Sequence, residues 1–282
     1  MNPAPLEEVL SALESEASLH PEIALDLELH LALLRKTAAV IPSSHAPLIE
    51  QGKDGYDLST LSVDWDAALS LARAVLDETS ARRADLLDAL TPLRTALEPR
   101  AFTASAMNYL RLGVAELPGG ASLDGRRADS EALWGFVLNH ALRPWLRALA
   151  SAVLPTLELE KWGQGKCPVC GGAPDFAALS REGKAEGGRI LLCSRCDAEW
   201  PFRRVACPYC GDHNHKNQGY YPVGEDGRYR LYVCEACGGY IKTVDLRAVD
   251  NPLPLPAERI LTLGLDVAAI QAGYGRAQES RA

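Results

Sequence analysis

The sequence lacks the apolar segments that lead a chain into or across a membrane. Residues 1–19 have no basic start and carry four glutamates where a secretory signal needs an uninterrupted apolar run. Elsewhere no apolar run approaches the roughly 20 residues that span a bilayer. We therefore expect a cytoplasmic protein without a membrane partner.

The signatures of common catalytic sites are also missing. The first half has no glycine-rich nucleotide loop and no nucleophile elbow. Because the cysteine sites described below also leave no open metal position, we expect that the chain is not an enzyme. His213 and His215 are interpreted as residues of a surface loop. Four histidines of the first half show no metal-binding spacing and are assigned no role: His20, His30, His45 and His140.

Basic residues are scarce in the first half of the chain. Residues 1–160 hold 13 Lys and Arg against 23 Asp and Glu, a net charge of −10, whereas residues 161–282 hold 16 against 14, a net of +2. Proteins that bind nucleic acid normally present a basic face, because neutralisation of phosphates supplies most of their non-specific affinity. These totals argue against nucleic acid as a partner.

Cysteine, by contrast, is regularly placed in the second half. The first pair of cysteines recurs 40 residues later and the second pair 41 residues later, so the region reads as two copies of one unit. All eight cysteines belong to four Cys-x-x-Cys pairs, here called knuckles: Cys167/Cys170, Cys193/Cys196, Cys207/Cys210 and Cys234/Cys237.

Knuckles in a reducing compartment predict bound metal rather than disulfides. Two knuckles complete the tetrahedral sulfur shell of zinc or of a single iron, with metal–sulfur bonds of about 2.3 Å. Four protein sulfurs leave no position for substrate, so we expect two structural ions, iron or zinc, with all eight cysteines as ligands. Their thiolates and two divalent ions would bring the charge of residues 161–282 to about −2.

Two properties of the knuckles stay open at this point. The second knuckle lies nearer in sequence to the third than to the first, although the repeated period favours sequential pairing. Cys-x-x-Cys is also a redox motif, but that motif occurs once, at the start of a helix. Iron held by four sulfurs would still be able to change its oxidation state.

Hydrophobic periodicity predicts an all-helical first half. Residues 41–62 and 117–129 are rich in proline, glycine and polar residues and are expected to be loops. Asp64 is expected to cap a helix, and Pro144 to kink or divide one. We predict a bundle that ends near Pro155, with helices at residues 6–19, 22–40, 65–79, 84–97, 102–112 and 130–154.

From Lys161 onward the pattern changes to glycine, aromatic and β-branched residues. Residues 190–192 and 228–233 read as strands that lead into knuckles, so each unit is a knuckle, a hairpin and a second knuckle. A proline-rich connector precedes a last helix at residues 257–272. The fold class is therefore α+β, with a helical bundle (1–160), two rubredoxin-like or zinc-ribbon modules (161–200 and 201–248) and a C-terminal connector and helix (249–282).

The cysteine region resembles the formate dehydrogenase accessory proteins of the FdhE type. The resemblance is carried by the run from Cys193 to Gly211, which includes Glu199-Trp200, by the run from Cys234 to Lys242, and by Leu261 to Asp266. It covers about residues 160–275. Ala198 departs from the pattern, because many relatives have threonine there.

That resemblance implies a cytosolic protein that assists the maturation of respiratory formate dehydrogenase and is not itself the oxidoreductase. It implies rubredoxin-like iron binding and a partner, the catalytic subunit of that enzyme, which is met before twin-arginine export. The alternatives are a nucleic-acid-binding zinc-ribbon protein and a rubredoxin-like electron-transfer protein.

Two surfaces are candidates for meeting the partner. The acidic helical half could receive a basic export signal, and the alternative is that its acidic residues form only a solvated surface. The connector between the metal units carries Glu199, Trp200, Arg203 and Arg204, and tryptophan and arginine are the usual anchors of interfaces. The alternative for Trp200 is that it packs the two units together.

Overall fold

The structure, a computed structural model, describes residues 2–20, 24–42, 51–52, 55–117, 125–181, 188–224 and 227–275. Two compact units divide the chain. The helical unit comprises Glu14–Gly52 and Tyr56–Leu149, and the cysteine unit comprises Met1–Leu13, Lys53–Gly55 and Ala150–Ala282. Helix and sheet are both present, as the sequence predicted, while the four proposed domain bounds stay predictions.

Helices account for most of the described residues before Leu154. Within the part of the chain that the structure describes, no helix is long and apolar enough to cross a bilayer. Two short strands, β1 (Gln51–Gly52) and β2 (Gly55–Tyr56), fall in the stretch expected to be a loop. The helices are α1 (Leu6–Ala17), α2 (Ala24–Ala38), α3 (Trp65–Arg82), α4 (Leu87–Leu90), α5 (Leu93–Ala96), α6 (Pro99–Leu112) and α7 (Gly125–Val153).

Side-chain caps fix the starts of two of these helices. The Asp64 carboxylate accepts a hydrogen bond of 3.0 Å from the amide of Ala67, so the predicted cap of α3 is confirmed. In α6 the Glu98 carboxylate accepts from the amides of Arg100 and Ala101, at 3.1 Å each. These bonds satisfy amides that the first helical turn leaves without a partner.

Two prolines behave differently from one another. The helix predicted at residues 84–97 is interrupted at Pro92, which separates α4 from α5, because proline lacks the amide hydrogen and crowds the preceding turn. Pro144, in contrast, does not divide α7, which runs without interruption from Gly125 to Val153. Around Pro144 the side chains of Leu142, Trp145 and Leu146 are buried, and this packing offsets the lost hydrogen bond.

The core of the helical unit centres on a buried aromatic pair. Phe102 and Trp134 meet edge to face with ring centroids 6.3 Å apart. The indole nitrogen of Trp134 donates a 2.7 Å hydrogen bond to the Ser105 hydroxyl, so its polar atom is satisfied in the interior. Leucines from α2, α3 and α6 add to this core: Leu33, Leu76 and Leu110.

The cysteine unit is built on one six-stranded sheet, with the order β5-β4-β3-β8-β7-β6. The central strands β3 and β8 run parallel, with Phe176 opposite Lys242, and all other neighbours are antiparallel. This parallel pair joins the two cysteine modules, which the sequence presented as separate hairpins. The strands are β3 (Pro174–Leu179), β4 (Arg189–Cys193), β5 (Glu199–Phe202), β6 (Gln218–Val223), β7 (Tyr229–Cys234) and β8 (Gly239–Asp245).

The predicted last helix is two helices, α8 (Leu255–Leu261) and α9 (Leu263–Gln271). At the break, the ammonium group of Lys242 donates to the carbonyls of Arg259 (2.9 Å) and Thr262 (3.3 Å) and to the Asp266 carboxylate (2.7 Å). A buried lysine needs such partners. By binding the last carbonyls of α8, it replaces hydrogen bonds that a continuous helix would have made.

Candidate metal centres

The first two knuckles bring four thiols together at one end of the β3–β4 hairpin. The Sγ atoms of Cys167 and Cys196 are 3.5 Å apart, and those of Cys170 and Cys193 are 3.4 Å apart. All four lie within 4.8 Å of one another. A tetrahedron with metal–sulfur bonds of about 2.3 Å has edges of roughly 3.8 Å, so the four sulfurs of this first cluster fit a metal ion.

The third and fourth knuckles form a second cluster of the same kind. Its Sγ atoms are 3.6 Å apart between Cys207 and Cys237, and 3.8 Å apart between Cys210 and Cys234. The structure therefore groups the knuckles sequentially, as the repeated period favoured. Both clusters suit a thiophilic ion, and four sulfurs accept zinc and iron alike.

The same turn shapes the first knuckle of each cluster. In the first cluster the amide of Cys167 donates to the Gly172 carbonyl at 2.8 Å, and in the second the amide of Cys207 donates to the Asp212 carbonyl at 2.8 Å. The glycine after each second cysteine, Gly171 or Gly211, has a left-handed backbone with φ of 66° or 75°. Glycine adopts this conformation without strain, which explains its place in both turns.

Amide groups point at several of the sulfurs. The backbone amides of Val169 and Arg195 lie 3.4 Å from the Sγ atoms of Cys167 and Cys193. In the second cluster the side-chain amide of Gln218 lies 3.3 Å from the Sγ atom of Cys234. Hydrogen bonds of this kind orient thiolates and reduce their negative charge, which tunes a bound metal.

The two clusters differ in exposure. All four cysteines of the first cluster are buried, whereas in the second Cys210 is exposed and Cys237 is half-buried. Burial raises the pKa of Cys167 well above its usual range and that of Cys237 to about 11. Hydrogen bonds lower the pKa of Cys170 and, despite burial, of Cys234, so a cation displaces the protons that remain on the other thiols as it binds.

An ion-pair network ties α8 to the first cluster. The guanidinium of Arg259 donates to the carboxylates of Asp197 (3.0 Å) and Asp175 (3.4 Å) and to the carbonyl of Cys193 (3.3 Å). Burial alone would lower the pKa of Arg259, but the two carboxylates raise it above its ordinary value. The network fixes the backbone that carries the second knuckle.

The four residues predicted as a partner surface are not all on the surface. Trp200 is fully buried, and its indole nitrogen donates a 3.0 Å hydrogen bond to the Gln164 carbonyl. Glu199 is half-buried, and burial, with the nearby Asp197 carboxylate, raises its pKa to about 7. Only Arg203 and Arg204 are exposed, and the burial of Trp200 favours the packing role over that of a partner anchor.

His213 and His215 are both exposed beside the third knuckle, in keeping with surface loop residues. The sequence interpretation missed the Arg259 network. An alignment of the two cysteine units would have indicated this network, because it places Cys196-Asp197 opposite Cys237-Gly238. Asp197 and Gly238 share a left-handed backbone, with φ of 55° and 69°. An aspartate at a position that favours glycine indicates a specific side-chain contact.

A mixed helical and sheet fold with two four-cysteine clusters defines a protein able to bind two metal ions. Comparison with known proteins identifies its relatives. Residues 166–204 match the family model described as "FdhE, central domain". The crystal structure of the FdhE protein from Pseudomonas aeruginosa matches with a TM-score of 0.59 and 24% identity, over 96% of this chain and 93% of that chain.

Relatives found by sequence similarity carry the same family name. A "Protein FdhE homolog" from Aquifex aeolicus is 32% identical over 145 residues, which cover 51% of this chain and 50% of that protein. A homologue of the same name from Stutzerimonas stutzeri is 30% identical over 142 residues, covering 50% and 45%. The chain thus spans about half the length of the curated relatives it matches. The predicted resemblance to the FdhE family is confirmed.

Proposed function

We propose that this chain is an accessory protein for the maturation of respiratory formate dehydrogenase, and that it binds the catalytic subunit in the cytoplasm before export. The observation that carries the proposal is the FdhE central-domain match, which falls on the first cluster and the segment after it. The FdhE-like fold over nearly the whole chain supports it.

In this function the metal clusters are structural. We place both in rubredoxin-like or zinc-ribbon modules, because glycine-containing turns present each pair of thiolates and four sulfurs close each shell. Bound iron would add a one-electron couple, and bound zinc would not. The eight cysteines hold the ends of the β3–β4 and β6–β7 hairpins and so fix the connector between them.

The exposed arginines of that connector, Arg203 and Arg204, are the proposed contact with the catalytic subunit. Arginine is favoured at interfaces because its planar guanidinium makes several directed hydrogen bonds. The acidic charge of residues 1–160 supports a separate contact with a basic export signal.

Deletion of the gene and complementation with variants test the function. We expect deletion to abolish formate dehydrogenase activity while the catalytic subunit is still synthesised, and the wild-type chain to restore it. Cys167→Ser with Cys170→Ser should fail to complement. Full activity in the deletion strain would exclude the proposal.

Contact with the catalytic subunit is tested separately by co-purification. Arg203→Glu with Arg204→Glu should reduce the amount of catalytic subunit that is retained, whereas Lys161→Glu, an exposed charge reversal in the same unit, should not. Equal retention by both variants and by the wild-type chain would place the contact elsewhere.

The exposure of Cys210 favours electron transfer as a second candidate function, because a partner can approach the second cluster closely. Iron-loaded protein would then show a reversible redox couple by voltammetry. Cys210→Ser should shift that couple. A zinc-only protein after anaerobic purification would exclude this candidate.

A further inference from the structure

A cationic pocket of about 220 Å³ lies in the cysteine unit, between the connector and strands β6 and β7. Its lining carries no carboxylate among the residues that the structure describes. The basic and aromatic side chains of its lining are those of Arg189, Arg204, His215, Tyr220, Arg230 and Tyr232.

Arg189 is a buried cation in the lining of this pocket. It is 3% exposed, and one guanidinium nitrogen donates a 3.1 Å hydrogen bond to the Ala206 carbonyl. Its Nε atom is buried and meets no hydrogen-bond partner among the described residues. Burial lowers the pKa of Arg189, since its charge is removed from water. A buried charge with an unused donor is stabilised by an anion.

Two further arginines add positive charge to the pocket. Arg204 is exposed and forms no ion pair within the described chain. Arg230 contacts the Asp245 carboxylate at 2.6 Å, but Arg247 contacts the same carboxylate at 2.7 Å. Arg230 and Arg247 therefore share the single Asp245 carboxylate. Among the described residues, no carboxylate contacts Arg204 or Arg189.

Aromatic rings hold these guanidinium groups in place. The Arg189 guanidinium carbon lies 4.5 Å from the centre of the Tyr232 ring, and that of Arg230 lies 5.3 Å from the centre of the Tyr220 ring. The two tyrosine rings are themselves 5.5 Å apart. Stacking fixes the plane of a guanidinium while its N–H groups remain able to donate.

We propose that this pocket binds a phosphate or carboxylate group. Arginine forms paired hydrogen bonds to both groups, and among the described residues no carboxylate contacts Arg189 or Arg204. The volume is below that of pockets for drug-sized ligands, which begin at about 300 Å³. The pocket therefore takes one charged group of a ligand rather than an entire nucleotide or cofactor.

Calorimetric titration of the metal-loaded full chain with inorganic phosphate and with acetate tests the proposal, with chloride keeping the ionic strength constant. We expect saturable binding. Arg204→Gln should raise the dissociation constant about tenfold, because one charge-assisted contact is lost. Arg203→Gln, an adjacent exposed arginine outside the pocket lining, should leave it unchanged. Metal content and circular dichroism confirm that both variants are folded.

The ratio of the dissociation constants for phosphate and acetate distinguishes a phosphate-bearing ligand from a ligand with a carboxylate. Tighter phosphate binding would assign the pocket to a phosphate-bearing ligand, and tighter acetate binding to a carboxylate. Absence of saturable binding of either ion would overturn the proposal, as would equal weakening by the two variants. Arg189 would then serve only as a countercharge to the thiolates of the second cluster.

Discussion

At the scale of single residues, two acidic side chains beside the first cluster have opposite roles. Asp197 is buried in an ion pair with Arg259, so its charge is needed. Glu199 is half-buried, and the nearby Asp197 carboxylate disfavours a second negative charge. The two residues are only two positions apart in the sequence, yet loss of charge should destabilise the chain at Asp197 and not at Glu199.

Asp197→Asn isolates the ion pair, because asparagine also tolerates a left-handed backbone. The change leaves Arg259 with a single charged partner, Asp175, so we expect a loss of about 2 kcal/mol in the free energy of unfolding. Denaturant titration measures it. Asp250→Asn is the control and should leave stability unchanged, because the Asp250 carboxylate that pairs with Arg181 is fully exposed. Equal stability of both variants would contradict the structural role of Asp197.

Glu199 predicts a pH dependence of stability. Its pKa is raised to about 7 in the folded chain, from an ordinary value of 4.5, because burial disfavours the charged form. Between these two values the folded state binds more protons than the unfolded state, so its contribution to stability is full below about pH 4.5 and falls as the pH rises through 7. Glu199→Gln should remove this fall.

Urea midpoints at pH 5 and pH 8 check that expectation. The wild-type chain should lose about 1–3 kcal/mol more than Glu199→Gln over this interval. Glu160→Gln, an exposed glutamate in the same unit, should behave like the wild type. If Glu199→Gln shows the same loss as the wild type, Glu199 is charged throughout.

At the scale of the elements, the knuckles were the most predictable part of the molecule. Their cysteine spacing indicated metal clusters, because a tight turn determines where its two thiols lie. The repeated period of the cysteines favoured the sequential grouping of the knuckles. The break between α8 and α9 was not predictable. Apolar periodicity continues through Thr262, and the interruption depends on Lys242, which lies 20 residues earlier in the chain.

The difference in exposure between the clusters predicts different rates of metal loss. A chelator reaches Cys210 directly, whereas it reaches the first cluster only after that part of the chain opens. Excess chelator should therefore release one ion rapidly and the other slowly, as followed by a metallochromic dye. Cys210→Ser should abolish the rapid phase, and Cys170→Ser, its counterpart in the first cluster, the slow phase. Release of both ions at one rate would contradict this order.

At the scale of the whole molecule, the parallel pairing of β3 with β8 is the feature that no local pattern indicated. Phe176 and Lys242 are 66 residues apart in the sequence, and only long-range packing brings their strands together. Burial of Phe176, Leu192 and Val244 in one apolar cluster provides that packing. The sequence predicted both cysteine modules, but it did not predict that their strands form one continuous sheet.

This shared sheet predicts cooperative stability across the two modules. Cys234→Ser should weaken the second cluster and reduce amide hydrogen-exchange protection in β7. Because β8 pairs with both β7 and β3, protection in β3 and β4 should fall as well. Exchange measured by mass spectrometry on metal-loaded protein checks this. Unchanged protection of β4, with β7 deprotected, would show that the modules unfold independently.

The order of the strands also has a consequence for assembly. The two copies of the cysteine unit are arranged head to tail, since β5-β4-β3 is followed by the equivalent trio β8-β7-β6. A translational repeat of this kind has no inherent end, unlike a pair related by a twofold axis. Each outer strand carries a proline, Pro201 in β5 and Pro222 in β6, which denies one amide to an incoming strand. These prolines make both edges of the sheet poorer templates for the addition of a further strand.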